Sequence, residues 1–375
     1  MFSPTRVTLA RHRRGWTKSD LAEAAGLSSR TISGYESGEM EPSDDTIATL
    51  SRVLRFPSSF FFAGDLDEPS PDNASFRALS SMTAMQRHAA LAAGALAIDF
   101  SEWLDRRFEL PEPDLLDLRG ADPEAAAETV RRQWAIGEKP IGNLVHLLER
   151  SGVRVFSLAE QCREVDAFSL WRHGKPFVFL NTLKSPEHSR FDAAHELGHL
   201  VLHRHGHGGC DGSPDQVEAL EPRRGRRAED EANAFASALL MPRRTLLSMT
   251  PRIPALYKLV EIKKIWRVSL AALVHRLHRL DVLNEWQYRQ LCIEISRKGY
   301  REREPDGLTE RETSQVLAKA LEELRAGGMS RADIARTLHL PMAEMETLLF
   351  GLTIASVEGD GSEPSLPRGK LHLVQ

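Results

Sequence analysis

Residues 176–203 read PFVFLNTLKSPEHSRFDAAHELGHLVLH: a short apolar run, a turn-rich joint and then a long helical pattern. Pro176–Asn181 has the aromatic and β-branched content of a strand bounded by turn residues. Arg190 to His203 has helical spacing, with Phe191, Ala194, Leu197, Leu200 and Val201 supplying its apolar face. Residues four apart on a helix share one side, so His195 and His199 can turn their imidazoles to a single ion. Glu196 then sits beside the ion rather than on it. There it could take a proton from a metal-bound water and pass it to a leaving amine. Zinc would help by lowering the pKa of that water towards about 7. Gly198 suits the pattern because a residue without a side chain lets another element come close.

A third ligand is available downstream. Residues 229–242, EDEANAFASALLMP, have a helical pattern that stops at Pro242. Glu229, Ala232, Ala236 and Leu239 fall on one face, and packing that face against the motif helix would carry Glu229 to the ion. Two histidines, a carboxylate and one open position form the usual catalytic zinc set. Glu231 is the rival ligand, although it lies about 200° around the helix from Glu229, with Phe235. His203 continues the histidine face but is about 6 Å further along the axis than His199, so it is expected to support the site or lie at the surface rather than ligate. His205 and His207 read as part of a polar, Gly-rich loop over about 205–225. Ligand type alone leaves Mn²⁺ or another divalent ion open beside Zn²⁺.

Together these two stretches resemble the ImmA/IrrE family of metallo-endopeptidases over roughly residues 140–250. The resemblance extends more loosely through WRVSLAALVHRLHRLDVLNEWQYRQL and SRKGYREREPDG, which look like the helical segment that follows the peptidase unit in family members bearing a helix-turn-helix. It implies a zincin-like, gluzincin-type domain in which His195, His199 and Glu229 hold zinc and Glu196 is the catalytic base. It also implies a class of substrate, since the family is associated with cleaving helix-turn-helix repressors that control stress-response or mobile-element genes.

The N-terminal stretch LARHRRGWTKSDLAEAAGLSSRTISGYESGEMEPSDDTIATLSRVL has its own punctuation. Thr17 caps a helix over Lys18–Ala25, which Gly26 ends. Ser28 caps a second helix to about Ser37, stopped by Gly38, and Thr46–Leu54 supplies another. The stretch resembles the XRE/Cro-type helix-turn-helix family. Leu21, Ala22, Ile32 and Tyr35 would pack inward, leaving Ser29, Arg30 and Ser33 to face a major groove. Arg30 could read guanine, with Lys18, Ser28 and Thr31 completing the candidate DNA-facing set. Arg11, Arg13, Arg14 and Lys18 are expected to neutralise phosphates. Gly34 costs the second helix about 1 kcal/mol relative to Ala and is expected to remove one reading side chain. The segment's charges nearly balance, so tight binding to a double-stranded operator would call for a homodimer. The competing reading is a helix-turn-helix reused for protein contacts.

The whole chain has 375 residues, 41% hydrophobic and 27% charged, with a formal net charge of -4, so any nucleic-acid binding must come from a local patch. Three distant cysteines, Cys162, Cys210 and Cys292, exclude a disulfide framework and a cysteine zinc cluster. No signal-peptide core opens the sequence, and the Ala-rich Leu91–Ile98 is too short to span a bilayer. A cytoplasmic setting without membrane contact is therefore expected.

The expected fold class is mainly α with a small β-sheet in the peptidase unit (α+β). The expected domains are a helix-turn-helix at 1–66, a linker and helical connecting region at 67–139, the metallopeptidase at 140–250, a helical, helix-turn-helix-like subdomain at 251–305, a C-terminal helical unit at 306–355 and a disordered tail at 356–375. Residues 327–352, capped by Ser330 and restarted by Pro341, could be a second helix-turn-helix or a plain packing or dimerisation element. The reading favoured is a DNA-binding regulator with a zinc endopeptidase that cleaves a repressor. The alternative is a regulator, or a toxin–antitoxin or phage-defence component, whose zinc domain senses or binds a partner without proteolysis.

Overall fold

The computed structural model describes residues 1–70, 74–76, 83–158, 165–204, 225–252 and 254–353. The loop expected after residue 204, with His205, His207 and Cys210, lies outside them, as do Cys162 and the expected tail at 356–375. Cys292 is a free thiol. The observed class is the expected one, helices with one small sheet.

In chain order the elements begin with α1 (Pro4–Arg13), α2 (Lys18–Ala25), α3 (Ser29–Ser37) and α4 (Asp44–Leu54), followed by a 3-10 turn at Ser58–Phe62. Next come β1 (Ala74–Phe76), α5 (Ala84–Asp105), α6 (Pro123–Gln133), α7 (Leu144–Arg150), β2 (Arg154–Ser157), β3 (Ala167–Arg172) and β4 (Lys175–Leu180). The motif helix is α8 (Pro186–Leu202), and α9 (Arg226–Leu240) carries Glu229. Helices α10 (Arg243–Met249), α11 (Leu256–Trp266), α12 (Leu270–Arg279), α13 (Glu285–Arg297), α14 (Gln315–Ala326), α15 (Arg331–Thr337) and α16 (Met342–Leu349) complete the described chain.

The caps read from the sequence are present. Thr17 and Asp20 form a reciprocal capping box, Ser28 accepts from Thr31 N, and Gly26 and Gly38 are left-handed with φ of 66° and 77°. Two helices begin earlier than their apolar spacing alone indicates, each at a serine cap. Ser43 starts α4 at Asp44 rather than Thr46, and Ser185 with Pro186 starts α8 four residues before Arg190.

Two compact units emerge. One comprises Met1–Pro111, Phe156–Val165 and Thr313–Gln375; the other comprises Glu112–Val155 and Asp166–Glu312. In the first, Val7, Leu21, Ile32, Leu50, Leu54 and Phe60 are buried at the centre of the helix-turn-helix bundle. The C-terminal helices belong to this unit. Glu344 on α16 pairs with Arg13 Nε at 2.7 Å and Arg14 Nη1 at 2.8 Å.

In the second unit β3 and β4 form an antiparallel hairpin with Phe168 opposite Phe179 and Arg172 opposite Lys175. His173 and Gly174, both at positive φ (49° and 74°), make the two-residue turn. The sheet order seats β4 between β3 and β2. Helix α8 packs on β3, β4 and α9, so it is buried nearly all round rather than along one stripe.

Candidate metal centre

Helix α8 is pinned at both ends and α9 at its C-terminal end. At the start of α8, Ser185 caps, Glu187 accepts from Leu308 N at 2.6 Å, and buried Arg190 pairs with Glu312. Towards its end, Trp171 Nε1 donates to Leu200 O at 3.2 Å and Leu118 N to Val201 O at 2.9 Å. The last carbonyls of α9 are taken by guanidinium groups, Leu239 O by Arg131 and Met241 O by Arg276. Between these anchors the helices approach closely at Gly198. A Cβ there would lie 3.1 Å from Phe235 Cδ1 and 3.2 Å from Ala232 Cα, so even a methyl group would require α9 to give by a few tenths of an ångström.

That approach brings three sequence-predicted residues together. His195 Nε2 and His199 Nε2 are 3.1 Å apart, and Glu229 offers one oxygen to each at 3.3 Å. Ligand atoms about 2.0–2.1 Å from one tetrahedral ion would be separated by about 3.3–3.4 Å, so the spacing fits a common ion. Both histidines are buried and Glu229 is partly open. Burial pushes the Glu229 carboxyl up, but hydrogen bonds and charge from His195 and His199 outweigh it and hold it well below the ordinary carboxylate range. A deprotonated carboxylate facing two imidazole nitrogens is the donor set a divalent ion requires.

Supporting contacts came into view only with the fold. His195 Nδ1 is 3.1 Å from Asn233 Oδ1, which fixes the proton on Nδ1 and turns Nε2 inward. Asn233 lies four residues after Glu229 on the same face of α9, a signal the spacing did contain. Glu196 is fully buried, and Ser169 on β3 donates its hydroxyl to Oε2 at 2.7 Å. Glu231, the rival ligand, instead meets His203 Nε2 at 3.1 Å. His203 Nδ1 in turn lies 3.0 Å from His199 Nδ1. Burial, together with the His199 charge, pushes His203 down to about 4 against the pull of Glu231.

A second trio, His12, Glu68 and His88, also gathers ligand-type atoms. Arg11 Nη2, which can only donate, is 3.3 Å from His12 Nε2. The His12 proton is therefore on Nδ1, donated to Glu68 Oε2 at 2.5 Å. The lone pair an ion would need is used, and the trio is a hydrogen-bonded cluster.

The candidate DNA-facing residues lie on α2 and α3. Ser28, Ser29 and Arg30 are exposed, while Thr31 and Ser33 are half-buried. Lys18 Nζ reaches Ser33 Oγ at 3.3 Å and Glu36 at 3.4 Å, and Ser28 is occupied as the cap of α3. Arg11, Arg13 and Arg14 do not line a phosphate-facing surface. Arg11 is buried against Glu36 at 2.6 Å, and Arg13 and Arg14 are engaged by Glu344. Gly34 is buried beneath Met40, so its missing side chain takes nothing from the outer face. Among the described residues no helix is long and apolar enough to cross a membrane.

A buried HExxH helix, a crossing helix with a converging glutamate and a separate capped helix-turn-helix define a metallopeptidase-like protein with a DNA-binding type of domain. Residues 148–278 match the peptidase family described as the IrrE N-terminal-like domain, and residues 9–61 match the helix-turn-helix family. The chain therefore carries an ImmA/IrrE-like metallopeptidase domain, with an XRE-type helix-turn-helix domain ahead of it. It is also similar to the antitoxin HipB of Escherichia coli (strain K12), 30% identical over 77 residues that cover 20% of this chain and 84% of that protein.

Proposed function

We propose that the chain is a cytoplasmic transcription regulator that binds a DNA operator through residues 1–66 and cleaves a regulatory protein, a helix-turn-helix repressor, with a zinc endopeptidase unit at 140–250. The observation that carries this reading is the convergence of His195, His199 and Glu229 beside a buried Glu196.

A bound divalent ion, Zn²⁺ in the first instance and Mn²⁺ as the rival, would polarise the scissile carbonyl and make a coordinated water acidic. Glu196 accepts the water proton and delivers it to the leaving amine. The Ser169 hydroxyl, donating to Oε2, holds the carboxylate in its working position. His195, His199 and Glu229 would hold that ion. At the other domain, Arg30 is the base-reading residue, and Ser28, Ser29, Thr31, Ser33 and Lys18 contact bases or phosphates around it. A homodimer supplies the second half-site.

Similarity to an antitoxin gives the second reading its support: a regulator or toxin–antitoxin component that binds a partner without cutting it. Comparison of cellular proteomes carrying wild-type or Glu196→Gln chain separates the two. Proteolysis predicts a repressor fragment made only by the wild type, with cleavage at least about 100-fold slower in the variant. Identical fragment profiles at equal metal content would rule out the peptidase reading.

A further inference from the structure

Every nitrogen of the two site histidines has a partner, but the partners differ. Behind His195 stands a neutral amide, Asn233. Behind His199 stands another imidazole and then a carboxylate: His203 Nδ1 at 3.0 Å from His199 Nδ1, and Glu231 Oε2 at 3.1 Å from His203 Nε2. His199 and His203 are both buried, and Glu231 reaches the surface, where its other oxygen takes a 3.1 Å hydrogen bond from Arg227 Nε.

The chemistry of imidazole orders the protons along this row. A histidine that ligates through Nε2 is neutral and keeps its hydrogen on Nδ1. His199 therefore donates from Nδ1, and His203 Nδ1 must accept. The His203 hydrogen is then on Nε2, from which it is donated to the Glu231 carboxylate. Each step has one donor and one acceptor. The same geometry keeps His203 out of the ligand set, because it faces the back of the His199 ring rather than the edge shared with His195 and Glu229.

We infer that His203 and Glu231 are positioning residues for the metal. They form a His199–His203–Glu231 relay that fixes the tautomer and orientation of His199 and makes it a more basic ligand. The inference rests on the reading of His195, His199 and Glu229 as ligands. Partners behind a metal-bound histidine act in this way, and their loss typically weakens metal affinity about 10–100-fold. Here the usual carboxylate–histidine pair is lengthened by one imidazole, so Glu231 acts on the metal through His203.

The test is a zinc titration of the full chain against a chromogenic chelator, with folding followed by circular dichroism. His203→Phe should weaken zinc binding about 10–100-fold. Glu231→Gln should weaken it by less, because the amide oxygen still accepts the hydrogen bond but without charge. Adding Glu231→Gln to His203→Phe should change nothing further, whereas additive losses would overturn the relay. Wild-type affinity in a folded His203→Phe chain would overturn it too. If His203→Phe fails to fold, ¹⁵N-histidine NMR of the zinc-loaded wild type reads the tautomers directly. Hydrogens on His199 Nδ1 and His203 Nε2 support the relay, and a hydrogen on His203 Nδ1 contradicts it. A wild-type chain that takes up no zinc would remove the metal site and the relay with it.

Discussion

The buried sides of α8 and the outer face of α3 each carry a set of chemistry-bearing side chains, and the two sets are held in opposite ways. On α8 the polar groups are buried, and each is held by a named neighbour: His195 by Asn233, His199 by His203, Glu196 by Ser169. On α3, Ser29 and Arg30 are exposed to solvent. A buried polar group costs free energy unless it is hydrogen-bonded, so the first set is fixed by the fold itself. An exposed group pays no such penalty and acquires its geometry from whatever it touches. The basic residues of α1 follow the first rule and not the second, which is why they are spent inside the unit instead of on phosphate.

The largest effect that would break this contrast belongs to Glu344. Its removal leaves Arg13, whose side chain is 2% exposed, buried without its carboxylate. Glu344→Ala should cost the N-terminal unit about 3–5 kcal/mol, seen as faster hydrogen exchange at α1 amides. Unchanged protection would mean that the pair is not structural and that Arg13 and Arg14 are available for DNA. A smaller effect is expected from the exposed set. Arg30→Ala should weaken binding to an operator selected by the wild type from random DNA by about 1–3 kcal/mol, leaving non-specific binding and stability untouched. Equal loss on both kinds of DNA would make Arg30 a phosphate contact.

The smallest effect concerns the α2 cap. Hydrogen bonds from the Thr17 backbone and hydroxyl hold the Asp20 carboxyl below its ordinary value. A depressed carboxylate stabilises the fold above its unfolded pKa, about 3.9, and that contribution is lost as pH falls through the folded value. Protection of α2 amides, taken relative to the intrinsic exchange rate at each pH, should therefore fall only on the acid side of that window, and Thr17→Ala should lower it roughly fivefold at neutral pH. Protection that does not change with pH would remove Asp20 from the cap.

The same contrast explains what was legible in the sequence. Caps and stops are local, so Thr17, Gly26, Ser28 and Ser330 could be read directly. The spacing of His195 and His199 on α8, and the face of α9 that carries Glu229, could also be read, because residues on one helix face obey a fixed period. Strand β3 escaped because Ala167–Trp171 is buried without alternation, although its His173-Gly174 turn was a usable hairpin signal. Helix α10 escaped because Pro242, which follows the end of α9, is also the N-cap position of the next helix and offers no side-chain cap signal. Ser169 and the Glu231–His203 contact depend on which elements pack together, and nothing in local spacing encodes that. The fate of the α1 arginines had the same cause, since their partner Glu344 lies some 330 residues away in sequence.

The most direct measurement is the metal content of the purified full chain, by native mass spectrometry, in the wild type and in Glu229→Ala and Glu231→Ala. One divalent ion per wild-type chain, lost in Glu229→Ala and retained with weakened affinity in Glu231→Ala, is the expected result. A wild type without metal, or a Glu229→Ala chain that keeps its ion as tightly as the wild type, would contradict the metal centre of His195, His199 and Glu229.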